Sequence, residues 1–129
     1  MAEPRMRSPL GRAIGLGSAK EGVEHWWAQR VTAIALVPLT LWFVVAVIAL
    51  AGADRSLFVE WVRHPLPAVL LVLLLIATFY HGALGLQVVI EDYIENETLR
   101  FGLMIVMKLA SIVLAALGIF AILKMSFAA

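Results

Sequence analysis

Three long and almost uninterrupted apolar stretches constrain this chain more than any other feature of its sequence. They cover approximately residues 31–50, 66–90 and 101–123. Each has about 20 residues or more, the length that a helix needs to cross a hydrocarbon core about 30 Å thick. The hydrophobic content of 63% and the mean hydropathy of +0.97 are also far above those of soluble domains. The sequence therefore predicts an all-α membrane protein with three transmembrane helices.

The charge and the cysteine content exclude several classes of function. The net charge is only +1 and the basic residues are scattered, which does not fit a nucleic-acid-binding surface. The chain has no cysteine, so it offers no thiolate metal site, iron–sulfur ligand or cysteine nucleophile. Any cofactor held by this chain must therefore use nitrogen or oxygen ligands.

The first 25 residues are polar and are interrupted by proline and glycine too often for a long helix, which predicts a cytoplasmic or interfacial arm. They contain no short apolar core ending in a small-residue cleavage site, so we expect no cleaved signal peptide. Residues 26–129 then form the transmembrane region of a single membrane domain that spans residues 1–129. The mixed polar and apolar connection over residues 52–67 predicts a short interfacial helix.

The distribution of Lys and Arg predicts the orientation in the membrane. Six of these residues lie before the first span or between the second and third spans, and three lie on the opposite side. The six residues are Arg5, Arg7, Arg12, Lys20, Arg30 and Arg100, and the three on the opposite side are Arg55, Arg63 and Lys124. Because cytoplasmic segments carry the excess of positive residues, we expect a cytoplasmic N-terminus and a C-terminus on the far side.

One histidine, His81, lies inside the second apolar stretch, where polar groups are costly and usually face a partner, a cofactor or water. A neutral imidazole there either hydrogen-bonds to a neighbouring helix or serves as an axial ligand of haem iron. Gly82 and Gly85 lack side chains that would keep a flat macrocycle or another helix away. The other two histidines, His25 and His64, flank the spans. A bis-histidine haem would therefore need its second ligand from another polypeptide.

Asp92 and Tyr93 end the same apolar stretch. On a helix, the 11 positions from His81 to Asp92 turn through an angle within about 20° of three full circles and rise about 16 Å, so the two side chains share a face. A phenol and a carboxylate at the interface can hydrogen-bond a quinone carbonyl and help to deliver protons. Tyr93 taken alone is most simply an aromatic anchor, and Arg30 is either an anchor to lipid phosphate or the partner of a buried anion.

These residues together resemble the smaller membrane-anchor subunit, the D subunit, of bacterial succinate dehydrogenase, the succinate:quinone oxidoreductase of respiratory complex II. In that family a second-helix histidine is followed by a glycine about one turn later and by an Asp-Tyr pair eleven positions later, as in His81, Gly85, Asp92 and Tyr93. Residues 17–36 also resemble the α-proteobacterial form of the start of helix one. The companion C subunit carries a Ser-x-x-His-Arg-x-[ST]-G signature, which this sequence lacks.

The resemblance implies roles for the residues at these positions. His81 would be one axial ligand of a haem b shared with the C subunit, whose own histidine supplies the other. Gly82 and Gly85 would pack against the haem. Tyr93 would hydrogen-bond ubiquinone near the cytoplasmic face, and Asp92 would orient an arginine of the C subunit.

The resemblance also implies haem-propionate contacts and partner subunits. Arg30 matches a family arginine at the start of helix one, and His25 is a second candidate for a propionate. FAD and iron–sulfur clusters would belong to a flavoprotein and an iron–sulfur subunit, docked on the cytoplasmic side of the bacterial inner membrane. The chain alone would catalyse nothing. The alternatives are a haem-free structural anchor and a small proton-conducting or transport subunit, which would need more intramembrane ionisable residues than Lys108 and His81.

Overall fold

The computed structural model of the chain describes residues 8–15 and 21–128, and this part is helical without strands. Its elements are α1 (Pro9–Ile14), α2 (Glu21–Ala49), α3 (Arg55–Arg63), α4 (Pro65–Tyr93) and α5 (Glu97–Phe127). Helices α2, α4 and α5 are each long and apolar enough to cross a membrane. The predicted all-α fold with three transmembrane helices is therefore confirmed.

The three long helices extend beyond the apolar stretches that predicted them. Helix α2 begins at Glu21, ten residues before the predicted start, and α5 runs from Glu97 to Phe127. Hydropathy detects only the part of a helix that lies in hydrocarbon, whereas backbone hydrogen bonding continues through polar flanks. A helix of 29 residues such as α4 is about 43 Å long and exceeds a hydrocarbon core of about 30 Å. Residues 1–7 and 16–20 of the predicted arm lie outside the described residues.

Side-chain caps begin α3 and α5 where the chain leaves a turn. Asp54 precedes α3 and accepts hydrogen bonds from the backbone N–H of Leu57 at 3.0 Å and from the Ser56 hydroxyl at 2.9 Å. These bonds stabilise the charged carboxylate and hold the pKa of Asp54 below its ordinary value. Asn96 caps α5 in the same way by accepting from the N–H of Leu99 at 2.9 Å.

Helix α4 lies in the middle of the molecule and packs against both α2 and α5. Within the described ranges, α2 and α5 do not contact each other. The three long helices therefore form an open layer, not a closed bundle. Almost none of their residues are fully buried inside the chain, as expected when lipid or another membrane subunit covers both faces of the layer.

The short helix expected between the first two spans is present as α3, and it packs against α4 and α5. Val62 of α3 is completely buried between Ala68 of α4 and Ile122 of α5. Trp61 stacks on Trp42 of α2 with ring centroids 5.9 Å apart. This small core joins all three long helices at one end of the layer, far along α4 from His81.

Candidate functional site

His81 lies in the part of α4 that packs against α2, and it contacts a polar side chain there. Its Nδ1 atom is 2.9 Å from the hydroxyl oxygen of Thr32, 49 positions earlier in the chain. Both residues are half-buried. The Nδ1 atom of His81 thus contacts a residue of the same chain. The other ring nitrogen, Nε2, is the one that can bind a further group.

The Thr32 hydroxyl also contacts its own helix. Its oxygen is 2.7 Å from the carbonyl oxygen of Ala28 and 3.2 Å from that of Gln29. A threonine inside an apolar helix commonly satisfies its hydroxyl in this way, by donating to a carbonyl one turn earlier. The hydroxyl is therefore held by α2 while it faces the imidazole of α4.

Two further polar side chains lie on the same face of α2. His25, Gln29 and Thr32 are spaced at i, i+4 and i+7, which places them in one row along a helix. Gln29 faces α4 as well, because a Cβ atom added to Gly85 would lie 3.9 Å from the Gln29 amide nitrogen. We call His25, Gln29 and Thr32 the polar row of α2.

Two atoms of the polar row are buried without a hydrogen-bond partner among the described residues. They are Nε2 of His25 and Oε1 of Gln29. Buried polar groups in proteins are nearly always hydrogen-bonded, so each of these atoms calls for water, a ligand or a group from another subunit. The polar row therefore belongs to a site that this chain completes only in part.

The two glycines beside His81 lie in different surroundings. A Cβ atom added to Gly82 would meet no atom within 4 Å, and the residue is exposed on the outside of the layer. Gly85 instead lies opposite Gln29 at an ordinary van der Waals distance. Open space beside α4 is thus found at Gly82, the residue after His81, whereas a side-chain carbon at Gly85 would touch the Gln29 amide.

Arg30 is not brought to His81 within this chain. Its guanidinium carbon lies 5.0 Å from the ring centroid of Trp26, one turn earlier on α2, and the side chain is exposed. Five positions separate Arg30 from His25, which corresponds to about 140° around the helix. Arg30 therefore faces away from the polar row while its side chain rests on Trp26.

Asp92 and Tyr93 are the last two residues of α4. Tyr93 is 80% exposed and Asp92 is exposed, about 16 Å along the helix from His81. A neighbouring cavity of about 480 Å³ is lined by Glu91, Glu97 and Arg100 with two apolar residues, and neither Asp92 nor Tyr93 reaches it. The structure thus presents the carboxylate and the phenol outwards, not in a pocket of this chain.

A larger cavity of about 670 Å³ lies between α4 and α5, away from the polar row. Its lining is mostly aliphatic, with Tyr80, Gln87, Lys108 and Ser111 as the polar side chains. The Ser111 hydroxyl donates to the carbonyl of Met107 at 2.8 Å, so it is already satisfied by its own helix. Within residues 8–15 and 21–128, no cluster of three or more His, Cys, Asp or Glu could hold a metal ion.

Thr32 and Gln29 were not among the candidates drawn from the sequence. Both lie near the start of the first apolar stretch, and the polar spacing of His25, Gln29 and Thr32 is the signal that could have identified them. That spacing marks one face of α2, but it does not show which part of α4 the face meets. Only the packing of the two helices pairs Thr32 with His81.

The fold and the site together define an all-helical integral membrane protein with one interhelical histidine and an incomplete polar site. The family model for the succinate dehydrogenase/fumarate reductase transmembrane subunit matches residues 4–118, and the chain belongs to this family. The resemblance seen in the sequence is thereby confirmed.

Named relatives point to the same family. The chain is 41% identical over 106 residues to the succinate dehydrogenase hydrophobic membrane anchor subunit of Rickettsia bellii, covering 82% of this chain and 85% of that protein. It is 31% identical over 125 residues to the subunit of the same name from Paracoccus denitrificans, covering 97% and 96%. The Rickettsia conorii subunit is 35% identical over 108 residues, covering 83% and 86%.

Proposed function

We propose that this chain anchors a succinate:quinone oxidoreductase in the bacterial inner membrane and supplies half of a haem b site and part of a ubiquinone site. The observation that carries the proposal is the contact of His81: its Nδ1 atom lies at hydrogen-bond distance from the Thr32 hydroxyl, which leaves Nε2 to bind a ligand. The relatives named as succinate dehydrogenase membrane anchor subunits support the assembly with a flavoprotein, an iron–sulfur subunit and a second anchor subunit.

The residues around His81 fit a haem held between two subunits. A neutral imidazole is a standard axial ligand, and a shared haem needs one histidine from this chain, the other coming from the second anchor subunit. Gly82, the residue after His81, leaves the surface of α4 open at this level. When bound, the haem supplies reversible one-electron transfer. This chain's contribution is to bind the iron from one side and to hold the ring in place.

His25 is the better placed of the two propionate candidates. Its Nε2 atom is buried and lacks a partner among the described residues, and a propionate oxygen would accept a hydrogen bond from it. The Arg30 guanidinium rests on Trp26 on a different side of α2. Arg30 would serve the same haem only by leaving the indole, as long Arg side chains can do.

The end of α4 fits a quinone site completed by partner chains. The exposed Tyr93 hydroxyl can donate a hydrogen bond to a quinone carbonyl, and the Asp92 carboxylate can orient an arginine of the second anchor subunit. Exposure of both side chains supports a site between subunits. With the N-terminus in the cytoplasm, this end of α4 would face the soluble subunits. Those subunits would hold the FAD and also the iron–sulfur clusters, for which this chain has no cysteine ligands.

A difference spectrum of the purified complex tests the haem assignment. The reduced-minus-oxidised spectrum of the wild type should show a b-type signal, normalised to flavin to correct for assembly. The signal should be lost in His81→Ala and retained in the matched control His64→Ala, because His64 lies in the turn between α3 and α4. Absence of the signal in the wild type would favour the alternative of a haem-free anchor. A signal that survives in His81→Ala would exclude His81 as the ligand.

A further inference from the structure

The number of hydrogens at the Thr32 contact determines which ring nitrogen of His81 carries the proton. A hydroxyl has one hydrogen to donate and lone pairs with which to accept. The carbonyl oxygens of Ala28 and Gln29 can only accept. Since the Ala28 carbonyl lies 2.7 Å from the hydroxyl oxygen, at the usual O–H···O distance, the hydroxyl hydrogen is directed to the helix backbone.

With that hydrogen used, the contact between Thr32 and His81 needs its hydrogen from the imidazole. The distance of 2.9 Å between Oγ1 and Nδ1 is that of a hydrogen bond. A neutral imidazole carries one N–H, so a proton on Nδ1 leaves a lone pair on Nε2. Hydrogen bonds would then run from His81 to Thr32 and from Thr32 to the carbonyl of Ala28. In the opposite tautomer, Nε2 would be protonated and unable to bind a metal.

We propose that Thr32 is a positioning residue that holds His81 in the tautomer protonated on Nδ1 and so presents the Nε2 lone pair to the haem iron. This inference rests on the proposed haem role of His81. Histidines that bind metals generally donate their other ring N–H to a protein acceptor, which fixes the ring and makes the ligand more basic. Here the acceptor comes from a different helix, so the packing of α2 on α4 sets the ligand orientation.

The substitution Thr32→Val tests this role with little change in shape, because a methyl group replaces the hydroxyl. The Nδ1–H then loses its acceptor, and the ligand becomes less basic. We expect the haem to be bound about 10- to 100-fold more weakly, the usual effect of losing such an acceptor, and the midpoint potential of the haem to shift in the positive direction. Haem binding is measured as the haem-to-flavin ratio of the purified complex after dilution. The midpoint potential is measured by redox titration of the same complex.

Two matched variants separate this role from a packing effect. Thr32→Ser keeps the hydroxyl and should restore the wild-type ratio and potential. Thr40→Val makes the same change at an exposed position of the same helix and should leave both values as in the wild type. A Thr32→Val complex with wild-type haem retention and potential would overturn the positioning role while leaving the haem assignment intact.

The test also separates failure of this inference from failure of the haem assignment. If the wild type holds no haem on His81, the ¹⁵N spectrum of the histidine-labelled complex shows which ring nitrogen of His81 carries the proton. The His81 resonances are identified by their loss in His81→Ala. A proton on Nδ1 in the wild type that is lost from Nδ1 in Thr32→Val would support control of the tautomer by Thr32. A proton on Nε2 in the wild type would overturn it.

Discussion

The contact between Gly118 of α5 and Leu75 of α4 provides a sensitive test of how the helical layer packs. A Cβ atom added to Gly118 would lie 2.7 Å from the Leu75 Cδ1 atom, with Cδ2 and Cγ at 3.6 and 3.8 Å. Carbon atoms pack best at about 3.5–4.0 Å, so the Cδ1 atom would have to move by roughly 1 Å. The missing side chain of Gly118 therefore allows α5 to approach α4 at this level.

The size of the substituted side chain should decide the effect. In Gly118→Ala, moving Leu75 away from its preferred rotamer costs about 0.5–1.5 kcal/mol, and the higher helix propensity of alanine offsets about 1 kcal/mol. We therefore expect this variant to be nearly as stable as the wild type. In Gly118→Leu the whole side chain must enter the contact, and overpacking of this kind costs about 1–3 kcal/mol.

The stability of these variants is measured as the temperature at which the purified complex dissociates in detergent. Gly118→Leu should lower this temperature, and the control Gly102→Leu should not, because a Cβ atom at Gly102 of the same helix meets nothing within 4 Å. Adding Leu75→Ala to Gly118→Leu should recover part of the loss, since the two side chains compete for the same space. Equal stability of the two leucine variants, or strictly additive losses in the double variant, would refute this description of the packing.

The remaining predictions concern the cap of α3 and the quinone end of α4. Asp54→Ala should lower the dissociation temperature at pH 7. The pKa of Asp54 is held below its ordinary value of 3.8, so the stabilisation is present above that value and is lost as the pH falls through the lowered pKa. The same loss at pH 7 and at pH 3 would contradict an ionised cap. Tyr93→Phe should slow ubiquinone reduction by about 3- to 10-fold, the value of one hydrogen bond, while succinate oxidation by an artificial dye is unchanged. Equal loss of both activities, or of neither, would count against Tyr93.

Hydropathy predicted the three long helices because each helix needs about 20 apolar residues to cross the hydrocarbon core of the membrane. It could not locate the start of α2, since the helix continues through the polar residues before Arg30, where no hydropathy signal remains. It also could not show that α2 and α5 lie on opposite sides of α4. Almost all of their surfaces are equally apolar, so hydropathy alone does not select helix neighbours.

The sequence identified His81 because an imidazole is conspicuous in an apolar stretch. Thr32 is not conspicuous, since a threonine that bonds to its own helix is common in membrane helices. The pair also depends on the register between two antiparallel helices, which the spacing within each helix does not determine. The relation of Asp92 and Tyr93 to quinone, like the orientation in the membrane, stays a prediction from the sequence.

The position of the iron relative to His81 tests the central claim most directly. An anomalous-scattering map of the crystallised complex, collected at the iron edge, locates the haem iron without reference to activity. We expect a single iron at bonding distance from His81 Nε2, with Nδ1 still in contact with Thr32. Iron bonded through Nδ1, or no iron near His81, would contradict the account.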